Sequence, residues 1–355
     1  MDEETEKPKQ GIREFYDKQY KKLLVIPFLL LFLAIGAIFY QYSTTGDFIS
    51  RDVSLKGGLT ITIPLQEEVS IIGLKNSLSS EFPQNDVSVR ALRRAGKQRG
   101  VIITSDIDGS KKTEVGILMD FLRKELNKPL VEDDYSIEFI GSSLGASFFR
   151  EAIKAIYIAF LFMGAVVFLY FGTKVHQKVL SLTLAIIAAV LIFMVKNPVT
   201  DIIAYLIGLF LIFIYIKHSA PSVAVILAAF SDMVITLAIV NLLGIKISTA
   251  GIAAFLILIG YSVDTDILLS TRVLKRKGGS LMDRIVGAFK TGIMMSITTL
   301  AAVTVALVFT QSEVIRQIMS ILLIGLVVDI INTWIQNVGI LRLYIENKEK
   351  KIVKQ

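Results

Sequence analysis

The sequence predicts an α-helical membrane protein of about eight spans that carries an extracytoplasmic α+β domain of the ferredoxin-like kind. Three observations lead there. Of 355 residues, 53% are hydrophobic and only 19% charged, a balance foreign to soluble globular and disordered chains alike. Eight apolar runs approach or exceed the roughly 20 helical residues that cross a hydrocarbon layer of about 30 Å. A single long polar stretch, 43–148, stands between the first run and the others.

The first run covers 22–42, and no small-residue cleavage site follows it, so it is expected to remain as a span rather than be removed as a signal peptide. The second lies near 153–172. Runs at 179–195 and 201–216 read as a tight hairpin turning at Lys196, Asn197 and Pro198, and four more follow near 221–243, 248–270, 288–310 and 314–343. Short loops rich in Lys and Arg mark the cytoplasmic side. Placing segment 1–21 inside, with Lys7, Lys9, Arg13, Lys18, Lys21 and Lys22, also brings inside Lys174, Lys178, Lys217, the loop "TRVLKRKGG" and the tail 344–355. Both termini are therefore expected in the cytoplasm of a multi-pass plasma-membrane protein, and 43–148 outside.

Within 43–148 the periodicity alternates between strand and helix. Residues 58–65 read as a strand, 67–81 as a helix, "DVSVRALRR" and "RGVIITSDI" as two strands joined by a turn from Gly96 to Gly100, 110–127 as a helix, and "YSIEFIGSSLG" as a returning strand. The order βαββαβ packs two helices on one face of an antiparallel sheet and leaves the other face open for contacts. With no His, no Cys and no convergent acids in this stretch, it reads as a docking module rather than a catalytic domain.

Composition removes other classes. The chain has no cysteine and two histidines, which excludes disulfides, thiolate sites and cysteine nucleophiles and leaves no metal centre to expect. Its net charge of +7 follows from cations flanking apolar runs, where they anchor helix ends in an anionic bilayer surface, rather than from a nucleic-acid patch. "LKGGLTITI" has neither the glycine spacing nor the following helix of a phosphate cradle, and Gly57 and Gly58 read as a turn. No cofactor is expected, and any energy must come from a transmembrane gradient or a partner.

The chemistry-bearing residues lie inside the last four spans. Asp232 and Asp329 fall near the centres of theirs, while Asp264, with Asp266 two residues on, sits about five residues from the midpoint of another. A charged carboxylate at that depth costs about 2.5–3.5 kcal/mol on insertion scales. Polar neighbours recur at similar depth: Ser231, Ser262, Thr265, Ser296, Thr298, Thr299, Asn332 and Thr333. Four spans thus supply a shared internal cluster in which a carboxyl escapes most of its cost by binding a proton. Hydrogen-bonded glue between packed helices is the plainer reading for the hydroxyls and Asn332. Two positions on a helix are about 200° apart, so Asp264 and Asp266 cannot share a face; Asp264 is expected inward, Asp266 solvated or capping a neighbour.

The same segments carry a resemblance. "IGYSVDTDILLSTRVLKR", "LAAFSDMVITLAIVNLLGIKIS", "SITTLAAV" and "RDVSLKGGLTITI" are similar to sequence patterns of the SecD/SecF family of protein-export membrane proteins, within the resistance-nodulation-division (RND) superfamily. "SVDTDILL", "SLGASFFREAIKAI" and "GLVVDIINTWIQNVGILR" most resemble the archaeal SecF branch. The resemblance runs from about 22 to 343. It implies a non-enzymatic subunit that works with SecD beside the SecY channel and promotes export of unfolded polypeptides with a proton or sodium gradient. The chain departs from the pattern in places. Thr265 stands where bacterial SecF has its acid, Asp264 matches the SecD acid instead, and Thr291, beside Lys290, stands where bacterial members have an arginine. A six-span family core also implies that the hairpin at 174–218 is inserted within 149–343. Two other readings use the same acids: a proton-coupled exporter of lipids or small molecules from that superfamily, and a scaffold that only stabilises the translocon.

Overall fold

In the computed structural model, residues 10–65, 67–94, 97–131, 134–195, 197–275 and 278–353 are described. Among them are eight helices long and apolar enough to span a membrane. Helix α1 (Gln10–Leu23) runs almost directly into α2 (Val25–Thr45), the first span. Gly46 ends it in a left-handed conformation, its N–H returned to the Tyr42 carbonyl. A short helix, α3 (Val53–Lys56), that the sequence pattern does not predict then leads into the α+β domain.

That domain contains β1 (Gly58–Pro64), α4 (Ile71–Glu81), β2 (Val87–Arg94), β3 (Lys97–Ser105), α5 (Lys112–Glu125) and β4 (Ser136–Ile140). All pairings are antiparallel, with the strands side by side in the order β2-β3-β1-β4, the ferredoxin-like arrangement the βαββαβ order predicts. Leu59, Ile61 and Ile63 of β1 alternate inward with Val101 and Ile103 of β3 and meet Leu74, Leu78, Leu118 and Leu122 from the two helices. Several boundaries differ from the predicted ones. The first helix starts at Ile71 because Ser70 caps it, accepting the Gly73 N–H. Gly100 is inside β3, not in the turn, whose residues 95 and 96 fall outside the described ones. The last strand stops at Ile140, and "GSSLG" opens the next helix instead. There the chain entering β1 crosses the start of that helix so closely that a Cβ on Gly57 would overlap the Ser142 backbone, and Gly57 has φ +92° besides.

The second span is α6 (Ser142–Phe171), the hairpin α7 (Val175–Met194) and α8 (Pro198–His218), and the remaining spans begin with α9 (Ala220–Leu242), α10 (Thr249–Lys275) and α11 (Leu281–Phe309). The last span starts as α12 (Glu313–Ile331), passes through a π-helical turn at Asn332–Asn337 and continues as α13 (Val338–Val353). Local chemistry explains the starts: Asn197 caps α8 ahead of Pro198, Ser219 caps α9, and Ser280 forms a reciprocal capping box with Asp283 on α11. Of the predicted hairpin turn, Lys196 lies outside the described residues.

Helices α9, α10 and α12 pack together, α2 lies on α9, and α11 lies on α10 and α12. The hairpin docks on α6 through small residues, Ala185 and Ala188 from α7 and Ala204 and Gly208 from α8. The α+β domain is tied to the loop between α9 and α10. Ile247 N–H donates to the Ser50 carbonyl (2.7 Å), Asp52 N–H donates to Ile247 (2.9 Å), and Lys246 Nζ meets Asp86 Oδ1 at 2.6 Å. Between the helix-free face of the sheet, with Thr60, Thr62, Thr104 and Glu138, and this loop lies a polar cleft of about 910 Å³.

Candidate functional site

Asp232, Asp266 and Asp329 come from α9, α10 and α12 and are fully buried. On α10 the inward face repeats Phe255, Leu258, Ile259, Ser262, Val263, Asp266, Leu269, Ser270 and Val273, a helical stripe at spacings of three and four. Asp266 belongs to that stripe and Asp264 does not: Asp264 is exposed, beside exposed Ala253, Ile257 and Gly260 on the opposite side of the helix. The expected inward placement of Asp264 is therefore corrected. The two carboxyls do point apart, as their spacing requires, but Ser262, Asp266 and Ser270, four residues apart in turn, set the phase that buries Asp266.

Asp232 accepts from Ser262 Oγ at 2.5 Å and from Asn332 Nδ2 at 2.7 Å. Asp266 Oδ1 accepts from Asn337 Nδ2 at 2.7 Å and from Thr333 Oγ1 at 3.0 Å. The same Thr333 hydroxyl lies 3.1 Å from Asp329 Oδ1. A hydroxyl has one proton to give. It cannot donate to both carboxyls at once, so the second contact is completed only when that carboxyl is protonated and donates back, or when a cation intervenes. Among the described residues no Lys, Arg or His bonds to any of the three acids.

Other predicted members divide between the cluster and the surface. Ser231 is buried and accepts from Gln336 Nε2 at 3.1 Å while its own proton goes to the Leu227 carbonyl. Thr265 is buried against α11 and returns its hydroxyl to the Tyr261 carbonyl. Thr298 and Thr299 are not hydrogen-bonded to the acids: exposed Thr298 donates to the Met294 carbonyl one turn back, while half-buried Thr299 donates to the Met295 carbonyl and accepts from the Tyr261 hydroxyl of α10 at 3.0 Å. A hydroxyl that bonds its own helix, as that of Thr298 does, has no need of a polar neighbour. Thr291 receives Arg272 of α10 at 2.7 Å, so a guanidinium reaches this part of α11 from the adjacent helix. Arg342 is spent on Asp17 and Glu346, away from Asp329.

Sequence reasoning missed Gln336 and Asn337, both fully buried. A signal was present: counted from Asp329, the polar residues Asn332, Thr333, Gln336 and Asn337 fall at i+3, i+4, i+7 and i+8, one helical face. The π turn widens it, since one extra residue per turn brings more side chains to the same side, and such turns recur at functional sites. Trp334 anchors the turn from behind, its indole seated where Gly292 of α11 has no side chain and stacked edge-on with Phe289 at 5.0 Å between ring centres.

Comparison with known proteins adds the following. The family described as "Protein export membrane protein SecD/SecF, C-terminal" matches residues 193–347. A "Protein-export membrane protein SecF" of Methanocaldococcus jannaschii is 33% identical, the match covering 94% of this chain and 99% of the relative. One of the same description from Pyrococcus furiosus is 32% identical, covering 97% of each. Among solved structures, SecDF from Thermus thermophilus, described as a translocon-associated membrane protein, superposes with a TM-score of 0.58 at 19% identity. That superposition covers 93% of this chain and 38% of the other, so this chain matches less than half the length of that protein and shares its fold.

Proposed function

The chain belongs to the SecF family of protein-export membrane proteins, and from that premise we propose that it is a non-enzymatic subunit working with SecD beside the SecY channel, where it promotes export of unfolded polypeptides with energy from a transmembrane ion gradient. The observation that carries the reading is the cation-free set of three buried carboxyls, with one hydroxyl shared between two of them. Structural glue would be served by neutral amides at less cost, because an intramembrane carboxyl is expensive and is kept where a proton or ion is handled. In this reading the carrier role falls to Asp266, Asp329 and Asp232. Asp264 has a separate one: an exposed acid on a stripe with Ala253 and Gly260 is a helix-packing face, and SecD is the neighbour we place against it. The termini are cytoplasmic, and the α+β domain stands outside with its open cleft toward the emerging chain.

The test is export from cells or vesicles carrying Asp266→Asn, alongside co-purification of SecD. Export lost while SecD still co-purifies supports ion handling; export retained sinks it, and joint loss of export and complex favours a scaffold. A cysteine at Gly260 that fails to crosslink to SecD would remove the assigned contact face.

A further inference from the structure

We propose that the groove enclosed by α6, α8 and α9 is a lipid-binding site, which holds the hydrocarbon tails of a single membrane lipid with the lipid's head at the end nearest the α+β domain.

The groove follows from how the hairpin is joined on. Helices α8 and α9 are linked by Ser219 alone, so they start close together, and the gap between them is floored by α6. This gap is a cavity of about 750 Å³. It runs from Ile216 and Val223 beside the junction to Tyr205 and Met233 at the far end, and along α6 from Gly164 back to Ile153. Each wall is about 15–17 Å long at 1.5 Å per residue. Apart from three tyrosines the lining is aliphatic, Phe, Met and Gly. The Tyr157 hydroxyl is committed to the Ala204 carbonyl at 2.8 Å and that of Tyr215 to Ser181 at 2.7 Å, while Tyr205 stands edge-on to Tyr157 at the mouth. Short of that mouth, nothing in the groove offers water the polar partners it needs.

Size and surroundings select the occupant. A volume of about 750 Å³ spread over about 17 Å of helix leaves a mean cross-section of roughly 45 Å², whereas a helix 10 Å across needs roughly 80 Å². A transmembrane helix of a neighbouring subunit is too thick; hydrocarbon chains are thin enough. The open side is flanked by Leu209, Ile212, Ile216 and Phe230, all exposed within spans, so it faces the bilayer interior, where such chains are the solvent. Lipid tails are as apolar as leucine, so transfer from bilayer to groove brings no hydrophobic gain. The gain is dispersion: walls on three sides contact a seated chain, and an unfilled gap would forfeit those contacts. The mouth fixes which end carries the head. Ile153 and Tyr205 lie there, next to the Lys154–Asp201 ion pair at 2.8 Å, on the half of α6 that leaves the α+β domain. Tyrosines and an ion pair at the end of an apolar slot mark headgroup depth. A lipid so placed touches both the hairpin and Phe230 and Met233 of α9, the helix that carries Asp232.

The test is photolabelling of the purified full chain in phosphatidylcholine nanodiscs doped with phosphatidylcholine that carries a diazirine in one tail, with labelled residues mapped by mass spectrometry. Labelling of the groove faces of α8 and α9 is expected to saturate as the probe fraction rises, while that around Ile187, on the exposed face of α7, rises in proportion to it. Ile226→Trp, which fills the groove, should weaken groove labelling roughly tenfold or more. Ile212→Trp, at the half-exposed rim, acts in the same direction should Ile226→Trp not fold, and Ile187→Trp leaves groove labelling unchanged. Groove labelling that never saturates, or that both groove-filling variants leave untouched, overturns the site. So does an Ile212→Cys chain that crosslinks to a helix of another subunit in native membranes, because protein would then occupy the place assigned to lipid.

Discussion

The hairpin α7–α8 and the α9–α10–α12 trio sit in the same bilayer and are buried by opposite means. Against α6 the hairpin uses Ala185, Ala188, Ala204 and Gly208, and its polar contacts are few: Ser181 Oγ with Tyr215 OH at 2.7 Å, Tyr157 OH donating to the Ala204 carbonyl at 2.8 Å, and Lys154 with Asp201 at 2.8 Å, with Gln177 Oε1 at the start of α7 its one buried unpaired side-chain oxygen among the described residues. The trio buries three acids and four further polar residues of the last span, and leaves five of their oxygens unpaired. Packing alone is evidently achieved here with small apolar residues. The polar interior of the trio is therefore not what holding helices together requires, and the contrast is what the proposed function rests on.

The contrast can be broken at either end. The largest effect is expected from Asp329→Leu, which removes a half-paired buried carboxyl: export should fall roughly tenfold or more, while the thermal midpoint of the purified protein stays level or rises, as replacement of buried charge by apolar bulk often allows. A midpoint that drops in step with export would make the acid structural. Next comes Gly292→Leu, which drives a side chain into the space of Trp334; overpacking of about 1–3 kcal/mol should lower the midpoint and disturb the π turn, so export suffers with stability. Gly208→Leu meets the Tyr157 ring instead and should cost a similar ~1–3 kcal/mol, yet leave export per folded molecule intact. Loss of export there would show that the hairpin is more than an appended pair. Ser181→Ala removes one interhelical hydrogen bond, worth about 0.6 kcal/mol, and serves as the lower bound of the scale in the same unfolding assay.

A last prediction concerns the α+β domain and its tether. Burial by itself would push the Asp106 carboxyl up, but Lys56 Nζ at 3.0 Å, the Asp86 N–H at 2.9 Å and Asn85 Nδ2 at 3.2 Å outweigh it and hold it below the ordinary carboxylate range. A carboxyl depressed in the folded state stabilises above its unfolded pKa, and that stabilisation is lost as pH falls through the folded value. Acid titration of domain unfolding should therefore show a loss below the usual carboxylate range that Asp106→Asn abolishes. An identical acid profile in that variant would refute the assignment.

The α+β domain was legible because alternating residues such as Leu59, Ile61 and Ile63 state which face is covered, and strand order then follows from few alternatives. The four-residue α3 was not, since it is too short to show a period. The spans were legible from length and hydropathy, which say nothing about rotation about the helix axis. That rotation is set by neighbours, and it is why Asp264 and Asp266 exchanged places. Ser262, Asp266 and Ser270 held the information at a spacing of four, but an apolar helix surrounded by apolar helices offers little contrast against which to read it. Thr298 misled for the same reason, because a hydroxyl that bonds its own backbone carries no mark of the face it occupies; Thr299 does meet α10, through Tyr261 rather than the acids.

The π turn has one more implication. A single supernumerary residue between Ile331 and Val338 acts as a phase shifter, so that everything beyond it, including the Arg342 that meets Asp17 and the Glu346 that meets Tyr20, is indexed to the amino-terminal helix by a rotation the α-helical repeat alone would not supply. Moving that extra residue along the helix would change the rotation of α13 and the spacing of the Asn332, Gln336 and Asn337 amides together.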